Sequence, residues 1–320
     1  MEKRKLLIIV LLFFFVKLQI FAQAPEFKEI RDSADYPFIL YLPSKDICPG
    51  PLPVIVFLHG RSLSGTDLSL VKRYGVIDAI ERGRKIPAIV IAPQVNRPHS
   101  WEPDKVLTVL NYVQKNYKTD LSRVYVVGMS LGGYGTFHFA GKYPERVAAA
   151  VALCGGGNVN DACNIAKTNI WIQHGQKDVA VLSSESVKMY DAIKACNPVG
   201  KCELTLYPNL GHSELAREFT KDTLYNWIFQ FKLSDTLASK IVFNDTISSV
   251  KKPEKEISHN TGKIEKDNKT DKKAAYHTIR KGDTLYALAL KYGTTVKKLC
   301  ALNGLQENTI LNIGQKIKLR

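Results

Sequence analysis

The pentapeptide Gly128-Met129-Ser130-Leu131-Gly132 constrains this chain more than any other stretch. An apolar run at 124–127 precedes it, and a helix-compatible run of small residues at 133–141 follows it. A G-x-S-x-G between a strand and a helix is typical of a tight turn that lifts the serine hydroxyl clear of the backbone. Flanking glycines remove the Cβ atoms that would clash in such a turn. The pattern therefore predicts a nucleophilic Ser130; the alternative is a Gly/Ser-rich loop without chemistry.

Short apolar runs alternate with helix-like stretches between residues 37 and 231. Continuous Val/Ile-rich runs indicate strands that are buried on both faces. Their alternation with helices predicts an α/β fold, a mostly parallel sheet with helices on both faces. The predicted strands are 38–42, 54–58, 88–92, 124–127, 147–153, 169–173 and 203–207, and the predicted helices are 68–82, 104–117, 134–142, 183–196 and 214–231.

Two further polar residues follow predicted strands, as Ser130 does. Asp178 comes after 169–173, and His212 comes after 203–207. Active sites of such sheets gather at the carboxyl ends of the strands. Ser, Asp and His in this chain order are typical of α/β-hydrolases. We predict that His212 is the general base of a catalytic triad and that Asp178 orients its imidazole.

Other titratable residues near these positions have structural interpretations. We interpret His174 as a packed histidine at a strand end and His138 as a packing or capping residue on the helix after Ser130. Glu214 and Asp222 fall on the last predicted helix, where a solvated face is the default.

A developing oxyanion needs two preorganised amide donors. Leu131, directly after the nucleophile, is predicted to supply one of them. The strand 54–58 runs into His59-Gly60-Arg61, where Gly60 permits close backbone approach and the Arg61 N–H is the predicted second donor. The Arg61 side chain is interpreted as solvent-facing, with an anionic substrate group as the alternative partner.

The candidates for the substrate pocket are Trp101 and His59. Trp101 lies in the loop 93–103 between prolines, and its ring suits stacking on a sugar or an aromatic group. The alternative for both residues is structural packing. No long insertion resembles a lid, so we expect an open site that suits a bulky or polymeric substrate.

The motifs together resemble one group of secreted α/β-hydrolases. This group includes feruloyl and acetyl xylan esterases, polyhydroxybutyrate depolymerases and relatives of prolyl oligopeptidase. The resemblance covers roughly 38–231 and implies the fold and the triad, whereas it is weak for the substrate. The glutamate often found after His-Gly in peptidase-like members is absent at 61–65. The stretches that carry it are 58–60, 120–125, 128–136, 154–157 and 171–175.

The first 24 residues have the pattern of a signal peptide, with Lys3, Arg4 and Lys5 before the apolar run 6–16 and small residues at 22–24. The alternative is an uncleaved anchor, for which the apolar run is short. No second long apolar stretch follows. We therefore expect a secreted protein, periplasmic or extracellular and associated with the cell wall, without a membrane span after cleavage.

Six cysteines are consistent with an oxidising compartment. Two neighbouring pairs, Cys154 with Cys163 and Cys196 with Cys202, flank turns that a disulfide would close. Four cysteines permit three pairings, and spacing does not choose among them. The other two are interpreted as isolated thiols, and no pattern predicts a metal site or a cofactor. They are Cys48 and Cys300.

The charge of the chain is concentrated near its C-terminus. The formal net charge is +15, and residues 234–320 hold 17 basic and 9 acidic residues. Such a region favours polyanions, but no nucleic-acid-binding pattern is present, so an anionic wall or membrane surface is the preferred partner. Within it, the polar stretch 234–275 is a poor core former and predicts a flexible tether; the alternative, a charged helix, is opposed by Pro253 and Gly262.

The final stretch, 276–320, strongly resembles a LysM module. It predicts strands at 276–279 and 314–319 around two helices, 286–292 and 296–302. The resemblance implies a βααβ fold that binds N-acetylglucosamine-containing glycans such as peptidoglycan or chitin. It places these residues beside the sugar, although several also shape turns: Gly282, Asp283, Thr284, Leu285, Asn303, Gly304 and Leu305.

These observations predict four segments: a signal peptide (1–24), a catalytic domain (25–233), a tether (234–275) and a glycan-binding module (276–320). The leading hypothesis is a serine carboxylesterase that acts on acyl esters of carbohydrate, either acetylated or feruloylated polysaccharide or O-acetyl peptidoglycan. A peptidase or polyester depolymerase on the same triad is the second hypothesis. The third is a wall-binding protein whose hydrolase domain is inert.

Overall fold

The computed structural model describes two parts of the chain, an α/β domain and a small C-terminal region. The described residues are 25–44, 50–234, 276–280, 296–306 and 311–319, with the single positions 238, 241, 285, 288, 289, 292, 294 and 309. The predicted signal peptide 1–24 lies outside them, as does most of the predicted tether. None of the described helices combines the length and the apolar character that crossing a membrane requires.

An eight-stranded sheet forms the centre of the α/β domain. The strand order is β1-β2-β4-β3-β5-β6-β7-β8. β2 runs antiparallel to both of its neighbours, β1 and β4, whereas β4, β3, β5, β6, β7 and β8 are parallel. The predicted fold class is therefore confirmed. The strands are β1 Glu26–Ile30, β2 Phe38–Leu42, β3 Leu52–Leu58, β4 Ile89–Pro93, β5 Thr119–Met129, β6 Ala149–Leu153, β7 Asn169–Gly175 and β8 Cys202–Tyr207.

Helices cover both faces of this sheet. They are α1 Val76–Glu81, α2 Pro103–Asn116, α3 Leu131–Lys142, α4 Ala162–Ile165, α5 Ser183–Ala195 and α6 Asp222–Ile228. Along β3, Val54 and Val56 face an apolar cluster that also holds Phe137 of α3, whereas Ile55 and Phe57 face a second cluster that includes residues of α1 and α6. We call these the α3-side and α1-side clusters. Their alternation along a strand is the period of two that a pleated strand imposes.

Two stretches that were predicted as single helices are each divided into a 3₁₀ helix and an α-helix. The stretch 68–82 is a 3₁₀ turn, Leu68–Lys72, followed by α1. Gly75 separates them with a φ of +98°, and a Cβ there would lie 2.0 Å from the Phe57 ring. The stretch 214–231 is divided in the same way into a 3₁₀ helix, Ser213–Thr220, and α6, because Lys221 is extended.

Strand β1 was not predicted, because its charged residues obscure the alternation of a half-buried edge strand. At the other end of the domain, Leu233 is buried and Ile241 packs half-buried against the α1-side cluster. Ordered packing thus continues into the stretch predicted as a tether. The boundary between domain and tether stays a prediction.

The disulfide joins Cys163 of α4 to Cys196 at the end of α5, so neither pair of neighbouring cysteines forms. Cys154 directly follows β6 and is buried in the α1-side cluster, whereas α4 packs against the α3-side cluster. The sheet therefore separates Cys154 from Cys163. Cys202 begins β8 and carries a free thiol, as Cys154 does. Cys48 lies outside the described residues.

The C-terminal region has a small core of its own. Strands β9 Tyr276–Thr278 and β10 Lys316–Lys318 pair antiparallel, and helix α7 Val296–Asn303 lies between them in the chain. Its buried side chains include Leu285, Leu299 and Ile317. The predicted strands and second helix occur at these places, and Leu288 and Ala289 are helical within the predicted first helix.

Candidate active site

Ser130 lies on the sharp turn between β5 and α3 that the pentapeptide predicts. Its φ of 58° and ψ of −118° are unusual for a residue with a side chain. The backbone leaves no room for Cβ atoms beside it: one at Gly128 would lie 2.2 Å from Gly132 O, and one at Gly132 would lie 1.7 Å from Leu58 O. The flanking glycines are thus a steric requirement of the turn.

The structure brings Ser130, His212 and Asp178 together. His212 Nε2 lies 2.9 Å from Ser130 Oγ, and His212 Nδ1 lies 2.6 Å from Asp178 Oδ2. The Asp178 side chain is fully buried, whereas 26% of the His212 side chain is exposed. Solvent can therefore reach the serine–histidine edge of the site, while the carboxylate stays away from water. The arrangement fits a general base that a buried carboxylate orients.

The loops after β7 and β8 hold the two partners of Ser130. Asp178 Oδ1 accepts hydrogen bonds from the Ala180 and Val181 amides, both at 2.9 Å. On the other loop, Gly211 N–H donates to Glu214 Oε2 at 2.6 Å. The interpretation of Glu214 as a merely solvated residue was therefore wrong, because its carboxylate braces the residue before His212. No local sequence pattern indicates this contact.

The side-chain hydrogen bond of Ser130 goes to His212, and the remaining acidic and imidazole groups near the motifs have other surroundings. His174 is fully buried at the end of β7, and burial lowers its pKa. His138 is half-buried on α3, and burial lowers its pKa as well. Asp222 forms an ion pair with Arg84. None of these three groups takes the place of His212 or Asp178.

The loop after β3 lies against the serine, as the oxyanion-hole prediction requires. A Cβ on Gly60 would be 3.3 Å from Ser130 Cβ, so the absence of a side chain lets this backbone approach. Arg61 opens a 3₁₀ turn and Leu131 is the first residue of α3, which places their amides at the starts of helical segments. Their role as donors stays a proposal.

Two contacts of this loop could not be found from the sequence. Gly60 N–H donates to the Tyr74 hydroxyl at 2.9 Å, so Gly60 contributes room rather than an oxyanion donor. The Arg61 guanidinium donates to the carbonyls of Pro98 and His99, both at 2.9 Å. The Arg61 side chain is half-buried, and these two carbonyls of the loop 93–103 hold its guanidinium in a partly exposed position.

The predicted pocket residues Trp101 and His59 are buried supports. Trp101 is 3% exposed, its indole N–H donates to His59 O at 3.0 Å, and its ring lies on the α-carbon of Gly135. His59 is fully buried; its Nδ1 donates to Gly60 O and its Nε2 accepts from Val95 N–H. Burial lowers the pKa of His59 to about 4. Neither side chain can line an open pocket, so this prediction was wrong.

Cys154 is a buried neighbour of the triad. Its Sγ lies within 4.8 Å of ligand atoms of Asp178 and His212. Burial raises the pKa of this thiol, which disfavours the thiolate that a metal ion would need. Asp178 and His212 already satisfy each other by a hydrogen bond. The cluster therefore fits a triad beside a buried thiol better than a metal centre.

In the C-terminal region, the described glycan-binding candidates mainly support the fold. Leu285 is buried in the small core, and Leu305 packs against it. The Asn303 side chain donates to Leu299 O and Lys318 O and accepts from Lys318 N–H. A sugar contact by the Leu285 or Asn303 side chain is therefore not what the structure favours. Gly304 is exposed, and Gly282, Asp283 and Thr284 lie outside the described residues.

Family comparisons match both parts of the chain. Residues 85–227, which include all three triad positions, match the dienelactone hydrolase family. Residues 277–320 match the LysM domain. A structural comparison with a crystal structure titled as a thermostable esterase gives 25% identity and a TM-score of 0.53, over 66% of this chain and 63% of the other.

Similar curated proteins match one part each. A bifunctional acetylxylan esterase/xylanase, XynS20E of Neocallimastix patriciarum, is 33% identical over 127 residues, 38% of this chain and 17% of that protein. The N-acetylmuramoyl-L-alanine amidase sle1 of Staphylococcus aureus is 47% identical over 45 residues, 14% of this chain and 13% of that protein. The chain thus spans less than a fifth of the length of either relative. Its larger part, which has an α/β-hydrolase fold, is thus similar to the dienelactone hydrolase family over 85–227, and its C-terminal part is similar to the LysM domain.

Proposed function

We propose that this protein is a serine carboxylesterase that removes acyl groups from carbohydrate. The observation that carries the proposal is the hydrogen-bonded series from Ser130 Oγ through His212 to Asp178. The family match of the surrounding residues supports it, as does the similarity of part of the chain to an acetylxylan esterase/xylanase.

The geometry suggests the order of events. His212 Nε2 accepts the Ser130 proton as Oγ attacks the ester carbonyl carbon, and Asp178 stabilises the imidazolium that forms. We propose that the amides of Leu131 and Arg61 bind the oxyanion of the tetrahedral intermediate. His212 then protonates the sugar oxygen as its bond to the acyl carbon breaks, so that the sugar leaves as a free hydroxyl. Water, activated by the same imidazole, hydrolyses the acyl-enzyme and releases the carboxylic acid.

The presence of the LysM domain favours a substrate that is part of the cell wall. Its resemblance to glycan-binding modules suggests that it holds the enzyme on N-acetylglucosamine-containing polymers such as peptidoglycan. Tethering raises the local concentration of esters on that polymer without changing the chemistry at Ser130. We therefore propose a secreted, cell-wall-associated enzyme whose substrates are O-acetyl peptidoglycan or acetylated or feruloylated polysaccharide.

The test is hydrolysis of p-nitrophenyl acetate, acetylated xylan, feruloylated glycan and O-acetyl peptidoglycan by the full chain and its Ser130→Ala variant. We expect the variant to lose activity by at least about ten thousandfold, since it lacks the nucleophile. Ser122→Ala, at the other end of β5, is the matched control and should remain active. Equal activity of wild type and Ser130→Ala would reject the mechanism.

A fluorescent peptide panel and a polyester film, assayed beside the esters, address the second hypothesis. Cleavage of peptides or polyester alone would replace the ester proposal. Labelling of Ser130 by a fluorophosphonate probe addresses the third, because an inert hydrolase domain would not react.

A further inference from the structure

A second histidine contacts the carboxylate of the triad. His174 Nε2 lies 3.2 Å from Asp178 Oδ2, the same oxygen that lies 2.6 Å from His212 Nδ1. The other oxygen, Oδ1, is occupied by two backbone amides. The side chains of His174 and Asp178 are fully buried. Water therefore does not compete for these contacts, and each one is electrostatically stronger than it would be at the surface.

The contacts of His174 determine which of its ring nitrogens carries a proton. Its Nε2 is 2.9 Å from Val181 O, and a carbonyl can only accept, so Nε2 carries the hydrogen. Nδ1 lies 2.7 Å from Ser186 Oγ. Burial lowers the pKa of His174, so the ring is neutral at neutral pH and Nδ1 is an acceptor that the Ser186 hydroxyl can reach. Ser186 Oγ also lies 3.0 Å from Gly155 O, an alternative acceptor for that proton.

We propose that His174 is a positioning residue: its Nε2–H, shared between Val181 O and Asp178 Oδ2, orients the Asp178 carboxylate toward His212. This inference rests on the proposed function. A donor on Oδ2 fixes the rotation of the carboxylate. It also takes part of the negative charge that would otherwise stabilise the imidazolium of His212. His174 thereby adjusts how readily the general base gives its proton up.

Few ionisable groups surround this pair among the described residues. Asp178 is in the loop after β7, His212 comes from the loop after β8, and the Cys154 thiol at the end of β6 lies beside the same carboxylate. From α5, the group that reaches the ring is the Ser186 hydroxyl. A change in the pH dependence on altering His174 would therefore report on the Asp178–His212 pair.

Two substitutions separate positioning from packing. His174→Leu keeps an apolar side chain in the space but removes the donor, whereas His174→Gln retains an amide N–H that can reach the position of Nε2. We expect His174→Leu to lower kcat/KM about tenfold to a hundredfold, as loss of a hydrogen bond to a charged group does, with little change in KM. The acid limb of kcat/KM should move to higher pH by about half a unit. His174→Gln should recover most of both effects.

The control is His138→Leu. Burial lowers the pKa of His138 as well, but this histidine lies near Asp161 rather than the triad. Its acid limb should match that of the wild type. If His174→Leu fails to fold, Ser186→Ala keeps the His174 ring and removes the partner of its Nδ1, together with the contact to Gly155 O, and the same changes should appear at a smaller size.

A readout that does not depend on ester hydrolysis is the downfield proton NMR resonance of the His212 Nδ1–H. The pH at which it titrates should rise in His174→Leu and be restored in His174→Gln. The proposal is overturned if folded His174→Leu or Ser186→Ala keeps the wild-type resonance and acid limb. It is also overturned if His174→Leu and His174→Gln have equal effects. If no ester is cleaved by any variant, the proposed function fails, and the NMR titration still decides this point.

Discussion

The α/β domain and the LysM region use their motif residues in different ways. In the α/β domain, Ser130, Asp178 and His212 are separated by 82 and 34 positions along the hydrogen-bonded series, yet they meet at one rim of the sheet. Two large clusters of other side chains supply the core. The motif residues are therefore free to hold chemistry.

The LysM region is too small for such a division. Leu285 belongs to its core, and Asn303 ties α7 to β10 through three hydrogen bonds. A short domain has little apolar area to bury, so its characteristic residues must also maintain the fold. A recognisable motif in a large domain thus points to a site more directly than one in a small module.

The largest expected effect is a loss of esterase activity that leaves glycan binding by the LysM region unchanged. Asp178→Asn should lower kcat by about ten thousandfold, because an amide cannot hold the histidine tautomer and its charged form as a carboxylate does. Pelleting of the full chain with insoluble peptidoglycan should stay unchanged. The control is Asp191→Asn on the exposed face of α5, which should leave the ester assay unaffected. Loss of glycan binding in Asp178→Asn would show that the two regions are coupled.

The next effect concerns the fold around the elbow. Gly132→Ala places a Cβ 1.7 Å from Leu58 O, a contact that only a backbone shift can relieve. We expect it to destabilise the α/β domain by about 4 kcal/mol or more and to abolish esterase activity, as measured by thermal unfolding and p-nitrophenyl acetate hydrolysis. Gly65→Ala, whose nearest neighbour would be 3.5 Å away, is the control and should be nearly neutral. A stable, active Gly132→Ala protein would contradict the steric account of the elbow.

The third effect is a loss of stability in acid. The described histidines whose pKa is lowered all belong to the α/β domain, and His59 is the clearest case, at about 4 against an ordinary 6.5. Between these two values the unfolded chain binds a proton that the native chain does not. Stability is thus fully present above about pH 6.5 and falls as the pH drops toward 4, by about 3 kcal/mol for His59 alone.

Urea unfolding of the α/β domain at pH 7 and pH 4.5 measures this difference. His59→Gln should flatten the pH dependence, whereas His99→Gln, at an exposed position, should not. An equal slope in the wild type and His59→Gln would show that His59 titrates normally in the folded protein.

The smallest expected effect belongs to the LysM region. Asn303→Ala removes the three hydrogen bonds to Leu299 and Lys318 and should cost about 1–3 kcal/mol of local stability. Binding to insoluble peptidoglycan should weaken severalfold, and hydrolysis of a soluble ester should not change. Asn312→Ala, at an exposed position, is the control. Full loss of binding with an intact LysM fold would instead favour a direct sugar contact by Asn303.

The α/β class of the sheet, the elbow at Ser130 and its two partners were predictable from the amino-acid sequence. These follow from local causes: apolar runs form buried strands, glycines permit the turn, and each polar residue comes directly after a strand. Tertiary structure decided which cysteines pair, because the sheet separates Cys154 from Cys163.

Tertiary structure also decided the surroundings of the site. Trp101 and His59 are buried, Tyr74 binds the Gly60 amide, and Glu214 braces the loop before His212. No local pattern specifies these contacts, since each depends on how loops from separate strands pack over one another. Local sequence sets which groups reach the rim of the sheet, and long-range packing sets what each of them contacts there.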